Sequence, residues 1–409
     1  INMVNVIGLG YIGLPTALML ASHGVEVVGT DYNKELVESL NAGVPTFKED
    51  GLDELFKKAV DAGIKFTNNY QHTDIYIVAV PTPYNKFSKK VDACYVKAAV
   101  NDVLDVCNAG ATIIVESTVS PGTIDKEVRP LIAERGFITG KDVHLVHAPE
   151  RILPGNMIYE LINNDRTIGA DEPKVAVRVR DIYASFCKGE IVLTDIRTAE
   201  MTKVVENTFR AVNIAFANEL SRICRHDNMD VYEIIRICNK HPRVNIMNPG
   251  PGVGGHCISV DPWFLVGDYP QLTKVIGESM KVNDSQPDFV LERLQVIMQE
   301  NNIKDASRVG LYGITYKENV DDYRDSPTLQ LLESQARHLA APLKCYDPFL
   351  ENMKLTESQY SDFDAFINDV DIVVVMVKHD HICHNWDRLK DKIVLDCHNI
   401  CPLPNTYRL

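Results

Sequence analysis

Residues 250–261 read GPGVGGHCISVD, a stretch in which little can pack, yet it carries His256, Cys257 and Asp261 within six positions. A thiol in such a loop is a nucleophile, a metal ligand, or a residue with no chemistry at all. Upstream, EMTKVVENTF sets Lys203 and Asn207 four residues apart, on one face of a helix and one turn from each other. With Glu200, Glu206 and Arg210 nearby, that pair alone reads as a solvated helix face. Beside a cysteine loop it gains meaning, because a thiol that attacks a carbonyl needs donors for the oxygen that becomes charged. Lys203 and Asn207 are the candidate donors.

A second group of residues points to a cofactor. GLGYIG places Gly8, Gly10 and Gly13 at the GxGxxG spacing, after the apolar run MVNVI and before the helical stretch LPTALMLASHGV. One glycine permits the tight turn, one lets backbone reach a pyrophosphate, and one allows close helix packing, while the helix amino end offers N–H groups to the phosphates. Asp31 follows at the end of EVVGTD, where a carboxylate accepts from both ribose hydroxyls and repels a 2′-phosphate. The neighbours Tyr32 and Asn33 supply no arginine and only Lys34 could compensate, so NAD is expected rather than NADP.

The elements that must position these residues alternate as strand and helix. After the first two strands, short apolar runs recur in DIYIVAVPTP, ATIIVESTVSPG, VHLVHAP and IVLTD, predicting a parallel sheet that extends to about residue 195. From Arg197 to about Met280 strand signals vanish and helical patterns take over, above all in RTAEMTKVVENTFRAVNIAFANELSRICRHDN. Alternation returns in RVGLYGI, LKCYDP, DIVVVMV and KIVLD. The expected fold is α/β, with two doubly wound Rossmann-like domains joined by a central helical domain. The expected boundaries are 1–196 for NAD binding, 197–300 for the helical part and 301–409 for the second Rossmann-like unit.

Composition narrows the partners. Forty-two basic against 56 acidic side chains leave a net charge of −14, which argues against general affinity for nucleic acid or anionic lipid. No apolar run approaches the ~18 residues of a membrane span, and the opening INMVNVIGLG shows no secretory signal, so a cytoplasmic protein is expected. Ten cysteines scattered without a compact framework read as mostly buried, reduced thiols. HDHICH at 379–384, with Cys397, His398 and Cys401, matches no zinc spacing and reads as loop residues, so no metal is expected.

Seven motifs in order then resemble the nucleotide-sugar 6-dehydrogenases of the UDP-glucose and GDP-mannose dehydrogenase group: GLGYIGLPTA, VPTP at 80–83, STV at 117–119, APER at 148–151, EMTKVVENTFRAVNIAFANE, GVGGHCISVDP and YKENVDDYRDSP. PERILPG with ELINNDRTIGA, and NPGPGVGGHCISVDPWFL, are most similar to the branch acting on UDP-N-acetylhexosamines, in particular UDP-N-acetyl-D-mannosamine. UDP-N-acetyl-D-glucosamine is the close alternative and UDP-glucose the more distant one. The resemblance implies oxidation of the sugar C6 alcohol to a carboxylate with two NAD⁺, Cys257 holding the sugar as thiohemiacetal and then thioester. It implies that the loop glycines admit the sugar.

It further implies oxygen stabilisation by Lys203 and Asn207, proton transfer by Asp261, and ordering of the hydrolytic water by Glu150 and Thr118. Cofactor contacts would come from Gly8, Gly10, Tyr11, Ile12, Gly13, Asp31, Pro81, Thr82, Thr118 and Arg324. Substrate contacts would come from Glu150, Arg151, Lys203, Asn207, Arg243, Gly254 and Lys317. His256 is expected to be a packing or loop hydrogen-bonding residue. The long central helix implies a homodimer or higher oligomer.

Overall fold

The computed structural model describes residues 2–337 and 342–409, and its chain divides into two compact units, Ile1–Glu206 and Asn207–Leu409. The first unit holds an eight-stranded sheet. From one edge its strands are Lys65–Thr67, Val27–Thr30, Val4–Ile7, Ile75–Val78, Ala111–Val115, Val143–His147, Arg166–Ala170 and Ile191–Thr194. The central strands are runs of Val and Ile buried along their whole length, as strands covered by helices on both faces must be. One apolar cluster includes Leu14, Leu18 and Phe56, and a second includes Val96, Val100 and Val128.

The expected parallel sheet needs one correction. Arg166–Ala170 pairs antiparallel with Val143–His147, through Val146 with Ala170 and His147 with Gly169, and Ile191–Thr194 then runs alongside it. Antiparallel neighbours need no return crossover. The connection here contains only the short helix Met157–Asn163 before the chain re-enters the sheet. Lys65–Thr67 and Arg166–Ala170 were not foreseen, nor was the hairpin Tyr84–Asn85 with Lys90–Val91.

In the second unit, six parallel strands take the order Gln359–Tyr360, Lys344–Tyr346, Val309–Tyr312, Ile372–Val375, Ile393–Asp396 and Tyr407–Arg408. This is the doubly wound order in which the third, second and first strands are followed by the fourth, fifth and sixth. The six strands that open the first sheet repeat it. The likeness extends to the first turn. Gly8 (φ +92°) and Gly313 (φ +95°) each follow the first strand, and a Cβ on either would strike the segment after the fourth strand, at Ala79 O (2.4 Å) or Val377 Cβ (2.5 Å).

The helices expected between the sheets are present as Ile196–His226, Val231–Cys238, Asp261–Asp268, Lys274–Asp284 and Gln286–Glu300. Ile196–His226 is 31 residues long and runs through the division between the units. No helix among the described residues is long and apolar enough to cross a membrane.

Candidate active site

At the glycine turn, the three glycines differ in what surrounds them. A Cβ on Gly13 would lie 1.8 Å from Gly8 O, so this position has to be glycine for the helix Gly13–Ser22 to pack against the turn. A Cβ on Gly10 would meet nothing within 4 Å. Open space over a turn at a helix amino end is the cradle a pyrophosphate requires. Tyr11 and Ile12, both half-buried, complete the turn, and Tyr11 packs on Phe47 with ring centroids 4.6 Å apart.

Asp31, also half-buried, accepts from Leu9 N (2.9 Å) through Oδ2 and from Asn33 N (2.9 Å) through Oδ1. Each oxygen has lone-pair capacity left for a ribose hydroxyl. The matching acid of the second unit is Asp347. It is fully buried and accepts from Ile314 N (2.6 Å), Thr315 N (3.0 Å) and Phe349 N (2.8 Å), with His379 Nε2 at 3.0 Å. Asp347 has no surface left to offer a ligand, whereas half-buried Asp31 keeps part of its own. NAD fits the residues around Asp31, Gly8, Gly10 and Gly13.

Of the VPTP segment, Thr82 is buried and Pro81 exposed. Ser117 donates to Val80 O (2.8 Å) and so ties VPTP to the STV loop. Thr118, next in that loop, is hydrogen-bonded by Nζ of buried Lys203. Burial lowers the pKa of His147 to about 4 despite its hydrogen bond to Val115 O, and the Lys203 charge adds to the shift. Lys203 therefore has a neutral imidazole beside it.

Glu150 is anchored on both oxygens. Oε1 accepts from Arg151 N (2.8 Å) and Ile152 N (3.1 Å), and Oε2 from Arg166 Nη2 (2.6 Å). Arg151 itself pairs with Glu206 and donates to Asp165 O, so its charge already has a partner within the first unit.

The second unit holds the thiol. Cys257, half-buried, lies just before the helix Asp261–Asp268, and its carbonyl accepts from Val260 N (3.1 Å) and Asp261 N (2.8 Å). Asp261 is 1% exposed and accepts from Asn207 Nδ2 at 2.8 Å. Asn207 therefore does two things at once: it orients the carboxylate nearest the thiol in sequence, and it sits one helical turn beyond Lys203.

On the side a Cβ would occupy, the loop glycines are packed against protein. A Cβ on Gly254 would lie 2.6 Å from Tyr316 Cβ, and one on Gly255 2.8 Å from the Tyr316 ring. Gly252 (φ +145°) is closed in by Pro287 and Pro327. These glycines let the cysteine loop pack on the segment 316–327, and Gly255 N donates to Arg324 O (2.8 Å). Any substrate contact by Gly254 is through its backbone. Within that segment Arg324 pairs with Asp322 (2.6 Å) and Lys317 is half-buried, whereas Arg243 and His256 are exposed.

No disulfide joins the cysteines, of which five are buried rather than most. Among the described residues no group of three or more His, Cys, Asp and Glu side chains could hold a metal. The clustered histidines have other bonds: His379 with Asp347, His381 with the Tyr312 hydroxyl (2.8 Å), and His398 with Met376 O (2.7 Å). Sequence reasoning passed over Glu116, Arg166 and Tyr183, which form a buried polar group behind Glu150. The signal was a carboxylate ending the apolar run ATIIVE and an arginine opening the run RTIGA.

Known proteins match the chain over nearly its whole length. The UDP-glucose/GDP-mannose dehydrogenase family matches through its NAD binding domain at residues 2–187, its central domain at 197–285 and its UDP binding domain at 310–402. A UDP-N-acetyl-D-mannosamine dehydrogenase of Methanocaldococcus jannaschii is 40% identical over 407 residues, 97% of this chain and 92% of that protein. An NDP-N-acetyl-D-galactosaminuronic acid dehydrogenase of Ralstonia nicotianae is 38% identical over 96% of this chain and 95% of its own length. The native structure of the UDP-N-acetyl-mannosamine dehydrogenase from Staphylococcus aureus superposes with a TM-score of 0.88 at 37% identity, covering 99% of this chain and 98% of that one. With the glycine turn, the acid after the second strand and the cysteine loop all in place, the chain belongs to the UDP-glucose/GDP-mannose dehydrogenase family, the NAD-dependent nucleotide-sugar dehydrogenases.

Proposed function

We propose that this chain oxidises the C6 alcohol of UDP-N-acetyl-D-mannosamine to UDP-N-acetyl-D-mannosaminuronate, holding the sugar on Cys257 between two two-electron steps. The observation that carries the chemistry is the half-buried Cys257 thiol in the turn just before a helix whose Asp261 is hydrogen-bonded by Asn207. Bound NAD supplies the hydride acceptor. The Cys257 thiolate adds to the C6 aldehyde to give a thiohemiacetal, whose oxidation leaves a thioester. Lys203, buried on Thr118, and Asn207 stabilise the C6 oxygen as it gains charge. Asp261 moves the proton, and Glu150 with Thr118 orders the water that releases the acid.

Three functional parts follow: 1–196 for NAD, 197–300 for helix-mediated dimerisation and 301–409 for the UDP-sugar. Gly8, Gly10, Tyr11, Ile12, Gly13, Asp31, Pro81, Thr82, Thr118 and Arg324 serve the cofactor. Arg151, Arg243, Gly254 and Lys317 join Glu150, Lys203 and Asn207 in serving the sugar nucleotide. The setting is the cytoplasm, and the product is an acidic sugar nucleotide suited to polysaccharide biosynthesis. Support for a 2-acetamido sugar comes from the names of the relatives at 38–40% identity. The Ralstonia protein's name brings the galacto epimer into the comparison.

NADH formed per sugar consumed, measured with UDP-N-acetyl-D-mannosamine, its gluco and galacto epimers and UDP-glucose, tests the reading. Two NADH with the manno epimer preferred is the expected result. One NADH per sugar ends the four-electron scheme, and preference for UDP-glucose ends the branch assignment. An amide-shaped pocket should reject the plain 2-hydroxyl sugar by roughly 10⁴-fold, since buried polar groups would lose their partners.

A further inference from the structure

The antiparallel strand has a consequence for Glu150. Extending the register Val146 with Ala170 and His147 with Gly169 by three residues sets Glu150 opposite Arg166. Running against Val143–His147, the strand begins where that neighbour ends, so its first side chain arrives at the edge that carries the functional loops of a parallel sheet. Arg166 is that first residue, and it reaches Glu150 Oε2 at 2.6 Å.

Behind Arg166 stand three more elements. Its guanidinium lies over the Tyr183 ring, 4.3 Å from the centroid. Tyr183 donates to Glu116 Oε2 (2.6 Å), and Thr16, in the helix of the glycine turn, donates to Oε1 (2.7 Å). Arg166 is 4% exposed, Glu116 1% and Tyr183 not at all. Burial pushes the Glu116 carboxyl up, against the pull of Arg166 and with the help of Glu150. Burial opposes the charge of Arg166 too, but Glu150, Tyr183 and Glu116 around it more than compensate. Arg166 and Glu150 thus form an ion pair closed off from water, with the Glu116 carboxyl behind it shifted toward its neutral form. Apolar side chains of the same volume would cost a fold less than such a buried pair, so stability alone does not account for it.

We propose that Arg166 is a positioning residue for thioester hydrolysis, fixing Glu150 so that this carboxylate holds the attacking water in one orientation. This rests on the reading of Glu150 given above. In that step the water oxygen forms the C–O bond to the acyl carbon, and the C–S bond breaks with its electron pair leaving on Cys257 Sγ. One water proton ends on the sulfur and the other in solvent, giving carboxylate and thiol. With Arg166 gone, Glu150 keeps its two backbone donors but loses the contact that fixes Oε2, and misplacement by about 1 Å can cost roughly 10²-fold in rate.

The test uses the full chain with UDP-N-acetyl-D-mannosamine and NAD, following the pre-steady-state NADH burst, the steady-state rate and the intact mass. Arg166→Met should keep a rapid burst of two NADH per site, turn over roughly 10²-fold more slowly and accumulate the acyl adduct on Cys257. Arg166→Lys, which returns the charge without the planar fork, should fall between Met and the unmodified enzyme. If Arg166→Met does not fold, the Lys variant carries the test. Burst and steady state lowered together with no adduct, or a Lys variant that deacylates at the unmodified rate, would overturn the proposal. Glu150→Gln separates the two ideas. If it accumulates adduct while the Arg166 variants do not, only the role of Arg166 is lost; if it deacylates normally, the assignment of Glu150 itself is wrong.

Discussion

In the proposed scheme Cys257 attacks an aldehyde, survives as a thioester and then leaves, and sulfur does all three better than oxygen because its conjugate base is more stable and its acyl bond more easily hydrolysed. Cys257→Ser should therefore fold and bind NAD yet lose at least about 10³-fold in steady-state acid production; unchanged turnover would remove covalent catalysis from the scheme. Asp31 carries a different load. It binds Leu9 N and Asn33 N inside the protein and keeps capacity for ribose hydroxyls. Losing hydrogen bonds to a charged acceptor costs about 1.5–3 kcal/mol, so Asp31→Ala should raise the KM for NAD roughly 10- to 100-fold. NADP, freed from repulsion by the carboxylate, should suffer less, and the preference should narrow. An unmodified enzyme that uses both cofactors equally would contradict the role given to Asp31.

At the scale of elements, the glycine turn predicts opposite outcomes for two residues three positions apart. Gly13→Ala forces a methyl onto Gly8 O, backbone that cannot move aside, and should destabilise the unit by about 3 kcal/mol or more. Gly10→Ala meets open space and should melt with the parent but bind NAD poorly, because its methyl occupies the phosphate cradle. Equal melting temperatures for the two variants would refute this division. The helix Ile196–His226 holds a second test. Burial raises Glu200 from 4.5 to about 7 in the folded state, although Ile124 N donates to it. A raised carboxylate pKa means that the folded state holds the proton more tightly. The stability this gives is complete below pH 4.5 and lost as pH rises to about 7. Glu200→Gln, which stays neutral, should gain on the parent between pH 5 and pH 8; a melting-temperature difference that does not change with pH would show that Glu200 is not buried as a neutral acid. The strands most legible in the sequence were those with long apolar runs, such as IYIV and IVVV. Arg166–Ala170 was missed because RTIGA has only one fully apolar long side chain, and Lys65–Thr67 because three residues carry no period. For the candidate site, residue types and spacing singled out Cys257, Lys203 and Asn207 as candidates. The packing of Gly254 and Gly255 on Tyr316 could not be read that way, because a glycine that admits a ligand and one that admits a neighbouring segment look the same in one dimension.

At the scale of the whole molecule, the long helix carries a surface that a lone chain leaves in water. Val205, Phe209, Phe216 and Ile223 are exposed, with Phe209 at 65% and Phe216 at 50%, and half-buried Val212 falls among them. Their spacings of four, three, four and seven residues keep one face of the helix, the seam that two helices pack together. Burying each large side chain is worth about 1.5–3 kcal/mol, and in a twofold dimer every residue of the face contributes twice. This supports a homodimer built on Ile196–His226. The chain should sediment at about twice 45.9 kDa at micromolar concentration. Phe209→Glu with Phe216→Glu would set two carboxylates per chain into a dry, self-facing seam, where each meets its own symmetry copy or its near neighbour. The doubled desolvation and repulsion should exceed what the remaining Val205, Val212 and Ile223 supply, and the variant should sediment as a single chain while its circular dichroism stays that of the parent, since both side chains already face outward in the monomer. A parent that sediments at 45.9 kDa, or a double variant that remains paired, would show that this stripe is not the contact.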